Sequence, residues 1–307
     1  MVYQKLQQGD LVDVIAPSYG REVGMHLVEQ QIRDFGFVPR IPSDMLVVNA
    51  DPFCANNDEA RFEQLKTAIY AEDSKIIWAF RGGYGATRLI PRLLELPVPA
   101  QPKILIGYSD ITALHIVLIQ KFGWSTIHGR TISEYVARDT DIEEVMMMKQ
   151  LLCSDIPVVF SSLVPLNQVA KIQRIVKSEV IGGNICLIQN SLGTDWQLQT
   201  KDKIILLEDI EERGYRIDRM LVQLTQAGIF KEAKAVIIGD IICAKERDGS
   251  ELCDQAVSRF AQQLNIPVLS CPQIGHGPYN MPVPMNMPAV LHLGESPTLE
   301  IEVFGGG

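Results

Sequence analysis

The chain has 307 residues, 47% of them hydrophobic and 21% charged, with a formal net charge of -9 at neutral pH. That length exceeds what one hydrophobic core usually organises, so two packed domains are expected. The acidic balance and the lack of any dense Lys/Arg run exclude a phosphate-backbone footprint, and with it nucleic acid, which leaves a small molecule or peptide as the expected substrate.

Residues 1–8 show no basic segment followed by an apolar one, and no stretch reaches the apolar length of a membrane helix. A cytoplasmic protein without a membrane partner is the expectation. In the first half, short apolar runs alternate with helix-period segments, the pattern of a parallel sheet covered by helices. Residues 12–16, 75–80 and 103–106 read as buried strands. Phe62, Leu65 and Ile69 mark one helical face, and Leu114, Val117 and Leu118 mark another. A further helix is expected after a capping box from Thr140 to Glu143, with Val145, Met148 and Leu152 inward and its methionines serving as packing, not as a cofactor site.

The periodicity weakens around Pro165 and Asn167, which sets a linker at about residues 163–175 between domains 1–165 and 166–307. The second half opens on Gly182-Gly183-Asn184. It continues with a strand at 204–207, a helix with Ile217, Met220, Leu221 and Leu224 on one face, and a strand at 236–238. A helix with Cys253, Val257, Phe260 and Leu264 inward follows, then short strands near Val268, Leu291 and Ile301 and a frayed Gly305-Gly306-Gly307 end. The six cysteines, 54, 153, 186, 243, 253 and 271, include no C-x-x-C pair, and they read as reduced core thiols without zinc or disulfides.

Chemistry concentrates at Gly107-Tyr108-Ser109-Asp110, which joins an apolar strand directly to a helix. A serine in such a turn is raised above the sheet edge beside backbone N–H groups, as in a nucleophile elbow; the plainer alternative is that Ser109 or Asp110 caps the helix. An acyl-transfer serine also needs a base, a group that orients the base, and two donors for the oxyanion. The Asp110 amide, next after the nucleophile, suits one donor. Arg81-Gly82-Gly83-Tyr84-Gly85, leaving the preceding strand, suits the second; as a phosphate cradle it fails, because Arg88 stands where the third glycine of a dinucleotide fingerprint would be.

Of the five histidines, His26, His115, His128 and His292 fall within regular elements or at their ends, whereas His276 stands in the irregular loop Gly275-His276-Gly277-Pro278-Tyr279-Asn280. Glu208 is the first polar residue after the buried run 204–207, so it can hold an imidazole at the sheet edge, while Glu211 and Glu212 read as solvated. No H-E-x-x-H or paired His/Cys spacing points to a metal, and no cofactor motif appears.

These motifs together resemble the LD-carboxypeptidase family, serine peptidases of the muramoyltetrapeptide carboxypeptidase type. The resemblance runs through Ala16-Pro17-Ser18, residues 81–86, 107–115, Gly182-Gly183-Asn184, Leu207-Glu208-Asp209, residues 215–221, and Gly275-His276-Gly277 with Asn280. It implies a triad of Ser109, Glu208 and His276 and an oxyanion hole from the amides of Gly83 and Asp110, with the choice between Gly82 and Gly83 open. Arg81, Tyr84 and Asn280 become substrate contacts. The implied fold is an N-terminal flavodoxin-like α/β domain with a C-terminal β/α domain and the active site between them; a homodimer and a muropeptide substrate are also implied. Microcin-immunity hydrolases, which share the resemblance, tend to carry an aromatic-bearing loop, and residues 163–177 hold no aromatic. A non-catalytic ligand-binding module is the remaining alternative. The chain departs from the family at Arg130, where proline is common, and at Asn286, where glycine is common. Arg130 is expected in a surface salt bridge, with a substrate carboxylate as its alternative partner.

Overall fold

The computed structural model describes residues 5–20, 24–137 and 140–303, and the chain forms two compact units that divide between Ile156 and Pro157. The frayed end expected at Gly305-Gly306-Gly307 lies outside the described residues.

The first unit runs β1 (Leu11–Ile15), α1 (Met25–Asp34), β2 (Val38–Arg40), α2 (Asp58–Tyr70), β3 (Ser74–Ala79), α3 (Ile90–Glu95), β4 (Ile104–Gly107), α4 (Thr112–Phe122), β5 (Thr126–His128), α5 (Ile132–Ala137) and α6 (Ile142–Cys153). Its five strands are parallel in the order β5-β4-β3-β1-β2. The chain builds the sheet in one direction to β2 and then returns across β1 to β3, which makes the carboxyl ends of β1 and β3 the switch point where open α/β sheets bind ligands. Val12, Val14, Ile76, Ile77, Trp78, Leu105 and Ile106 are buried without remainder, because a parallel sheet covered on both faces tolerates few polar side chains. One exception is a buried chain of polar groups. Lys103 donates to Ala68 O at 2.5 Å and Ser74 Oγ at 2.6 Å, Ser74 donates to Asp13, and Asp13 accepts from Arg40 at 2.5 Å.

The second unit contains β6 (Val158–Phe160), β7 (Val164–Pro165), α7 (Gln168–Lys171), β8 (Ile175–Asn184), α8 (Ile185–Ser191), β9 (Ile204–Arg213), α9 (Gly214–Gln226), β10 (Ala235–Ala244), α10 (Cys253–Gln263), β11 (Val268–Ser270), β12 (Val283–Met285), β13 (Pro288–His292) and β14 (Thr298–Ile301). Its eight-stranded sheet has the order β6-β14-β13-β8-β9-β10-β11-β7. The central β8 to β11 are parallel, and antiparallel strands flank them on both sides. On α9 the expected face of Ile217, Met220, Leu221 and Leu224 is the buried one.

Three local expectations change. The segment around Pro165 and Asn167 is part of the second unit: β7 pairs with β11, and the Asn167 amide donates to Ala261 O at 3.0 Å and Ile266 O at 2.9 Å while its oxygen caps α7. Side-chain hydrogen bonds organise this stretch, so hydrophobic periodicity misses it. Asp141, not Thr140, caps α6, accepting from Glu143 N at 2.8 Å. Cys243 and Cys253 are joined in a disulfide with Cα atoms 5.9 Å apart, which corrects the reading of six reduced core thiols. β10 runs on to Ala244 and α10 begins at Cys253, so the loop between them brings the chain back beside the strand end. Of the four free cysteines, Cys54 and Cys271 are buried and Cys153 is exposed. Among the described residues, no helix is long and apolar enough to cross a membrane.

Candidate active site

In the first unit, β4 ends at Gly107, and Ser109 opens a single 3₁₀ turn that leads into α4. Ser109 has φ +61°, a left-handed conformation that costs a non-glycine residue about 1–3 kcal/mol. A helix cap would not need it, since capping residues take extended dihedrals. Neither the 3₁₀ turn nor α4 carries a side-chain cap, so the capping alternative for Ser109 and Asp110 fails. The strained turn is braced from below. His115 donates from Nε2 to Gly107 O at 2.8 Å, and burial pushes its pKa down to about 3, which keeps it neutral. Tyr108 donates to Glu134 at 2.5 Å.

The glycine loop lies against this turn. A Cβ on Gly82 would stand 2.9 Å from Ser109 Cβ and 3.1 Å from its Oγ, so only glycine lets the loop backbone come this close to the hydroxyl. Gly83, at φ +103°, abuts Tyr19 in the same way. Farther along, Tyr84 is half exposed and meets Phe53 edge-on at 6.1 Å, and the Arg81 guanidinium lies 5.3 Å over the Tyr19 ring.

In the second unit, Glu208 sits within β9, wholly buried, and its Oε2 lies 2.6 Å from His276 Nδ1. A buried carboxylate at that distance fixes the tautomer, with the proton on Nδ1 and Nε2 left as the acceptor. Strand alternation turns the next residue, Asp209, to the other face, where it accepts from Asn184 Nδ2 and Cys186 N, both at 3.1 Å. Burial first, and then the charge of Glu208, push the Asp209 carboxyl up to about 7. The His276 loop is tied down on both sides: Gly275 N donates to Asn280 Oδ1 and Gly277 N to Asp240 Oδ2, each at 3.0 Å. A Cβ on Gly277 would meet that Asp240 oxygen at 2.3 Å, so the loop closes on Asp240 only because the position is glycine.

The structure therefore brings Ser109 together with the glycine loop, and Glu208 together with His276. Asn280, expected at the substrate, is buried beneath the His276 loop and accepts the Gly275 amide. Arg130 is only 1% exposed and forms a buried ion pair with Glu144, which corrects the expectation of a surface salt bridge and leaves no reach to a substrate carboxylate. Asn286 has φ +58°, the left-handed region that glycine prefers and asparagine tolerates, so the departure there preserves the backbone. His115 and His128 are buried, and His292 is exposed on β13. Sequence reasoning missed Asp240 and Arg61 and met Ser18 only within the Ala16-Pro17-Ser18 motif; Asp240 reaches Gly277, Ser18 reaches Asp110, and Arg61 reaches the Pro17 and Gly85 carbonyls, all between segments far apart in the chain.

Comparison with known proteins places these features. The LD-carboxypeptidase N-terminal domain matches residues 12–129 and the LD-carboxypeptidase C-terminal domain matches residues 177–291. A Rickettsia conorii protein assigned by name alone to the carboxypeptidases is 41% identical over 276 residues, covering 90% of this chain and 85% of its own length. Muramoyltetrapeptide carboxypeptidase from Oxalobacter formigenes superposes with TM-score 0.79 at 26% identity, over 96% of this chain and 100% of that one. An MccF-like protein from Bacillus anthracis str. Ames shares the fold, with TM-score 0.82 at 22% identity over 99% of each chain. With both family domains matched in order and so close a relative along nine-tenths of its length, the chain belongs to the LD-carboxypeptidase family of peptidases.

Proposed function

We propose that this protein is a metal-independent serine carboxypeptidase that removes the terminal D-alanine from muropeptide tetrapeptides. The observation that carries the reading is the left-handed Ser109 pressed against a glycine loop, because that arrangement costs stability and serves a nucleophile, not a cap. The buried Glu208–His276 pair supplies a base of fixed tautomer, and Ser109, His276 and Glu208 act as one triad.

Ser109 Oγ bonds to the carbonyl carbon of the L-configured residue while its proton passes to His276 Nε2. The resulting oxyanion is met by the amides of Asp110 and of Gly83, or of Gly82 beside it. Collapse breaks the C–N bond, and the imidazolium gives its proton to the departing amine of D-alanine. Water then attacks the acyl ester, losing a proton to Nε2, and the proton returns to Ser109 Oγ as the shortened peptide leaves. Arg81 makes no ion pair among the described residues, and its guanidinium is the cation offered to the terminal carboxylate of the substrate.

A role in cytoplasmic peptidoglycan recycling, by a homodimer, completes the reading that the family implies. The Cys243–Cys253 bridge is the observation that pulls against a reducing compartment. The likeness to the MccF-like protein is one of fold, and the lack of aromatics in residues 163–177 favours the carboxypeptidase. Incubation with murein tetrapeptide should release one alanine, read by mass, with EDTA present or absent. Loss of activity in EDTA with recovery in zinc would overturn the serine mechanism.

A further inference from the structure

Asp110 has a side chain that the elbow does not itself require. Its carboxylate is 2% exposed and caps neither the 3₁₀ turn that it belongs to nor α4. One oxygen, Oδ2, accepts from Ser18 Oγ at 2.5 Å and from Ala86 N at 2.8 Å. Ser18 belongs to the loop leaving β1, and Ala86 closes the glycine loop leaving β3. Asp110 belongs to the turn leaving β4. One oxygen thus joins three strand-end loops at the carboxyl edge of a single sheet. The other joins in the region run between the first two loops: Tyr19 N donates to Gly82 O at 3.2 Å, and the buried Arg61 guanidinium donates to Pro17 O and to Gly85 O.

We propose that the Asp110 carboxylate is the positioning residue of the oxyanion hole, holding the Gly82–Gly83 backbone in register with Ser109 through Ala86 N and Ser18 Oγ. This rests on the serine-peptidase reading above. An oxyanion donor acts only within a few tenths of an ångström of its place, and two donors on separate loops keep that spacing only if something fixes one loop to the other. The amide of residue 110 and the carboxylate of residue 110 then perform consecutive tasks: the first meets the oxyanion, and the second sets where its companion donor stands. Burial pushes the carboxyl up from its ordinary range, and two donors on one oxygen are what hold it in place there.

The test compares Asp110→Ala with Asp110→Asn. The amide oxygen of asparagine can accept from both Ala86 N and Ser18 Oγ, so charge is removed and the clamp is kept. Asp110→Ala should lower kcat by about 10²-fold, the order of losing one oxyanion donor, with KM within about twofold. Asp110→Asn should stay within about fivefold of wild type, and Ser18→Ala, which leaves Ala86 N in place, should fall between them. A peptide aldehyde carrying the acyl half of the substrate, whose adduct places an oxyanion in the hole, should bind Asp110→Ala weaker by the same factor that kcat/KM falls. If Asp110→Ala does not fold, Ser18→Ala and Asp110→Asn carry the same comparison. Unchanged aldehyde affinity, or a loss of kcat that merely follows the folded fraction, overturns the proposal. Full turnover by Ser109→Ala would instead remove the serine mechanism, and this proposal with it.

Discussion

The two units hold their chemical groups by different physical means. In the first, what is held is backbone, with buried side chains bracing it: Ser109 is kept at φ +61° and a glycine loop lies where no side chain fits. In the second, side chains do it: a fully buried Glu208 grips His276 at 2.6 Å, and Asp240 and Asn280 anchor the loop through its amides. Backbone-held geometry is sensitive to added volume and indifferent to charge. Side-chain-held geometry is the reverse, because an isosteric change of one atom exchanges a donor for an acceptor.

The largest effect should come from Glu208→Gln. The amide N–H would donate to Nδ1, reverse the tautomer and leave Nε2 protonated, so kcat should fall about 10⁴-fold with the fold retained. Circular dichroism and turnover on the same preparation check this; retained turnover would show that Glu208 does not orient the base. Next in size is Gly82→Ala. Its Cβ would stand 2.9 Å from Ser109 Cβ, so the nucleophile must shift by a few tenths of an ångström, and the rate should fall by about 10-fold to 10²-fold without any change of charge. A rate within threefold of wild type would mean that the loop gives way freely, and the contrast between the units would weaken.

The smallest effect concerns stability. Asp209 is pushed up to about 7 from an ordinary 3.8, so between about pH 4 and pH 7 the folded chain holds a proton that the unfolded chain has released. Stability from this group is therefore complete below about pH 4 and is lost as pH rises through about 7. Urea melts of wild type and Asp209→Asn at pH 5 and pH 8 should show a fall with pH that the variant lessens. Equal slopes would return Asp209 to an ordinary carboxylate held by Asn184 and the Cys186 amide.

Much of the backbone-held half was legible in the sequence. Gly107-Tyr108-Ser109-Asp110 and the run from Arg81 to Gly85 are contiguous, and a strand–turn–helix needs only local signals. Glu208 and His276 could be named because one ends an apolar run and the other stands in an irregular loop. Asp240 could not, since nothing near it announces that Gly277 N lies within reach, 37 residues on. The same holds for Ser18, 92 residues from Asp110, and for Arg130, whose partner Glu144 lies 14 residues on in α6. Buried polar pairs form between segments that tertiary packing alone brings together, and periodicity carries no record of them. Asn286 is the converse case: it looked like a departure, and its φ of +58° shows the same backbone met by another residue type.

The sulfur bridge between Cys243 and Cys253 makes a covalent ring of the chain between them. A protease that cut anywhere from Lys245 to Leu252 would open the backbone without parting the two fragments, and the nicked protein would migrate as one band. Adding a reductant to the gel sample would split that band in two near residue 250. The pattern would then distinguish chains taken from an oxidising compartment from chains that were reduced before they met the protease.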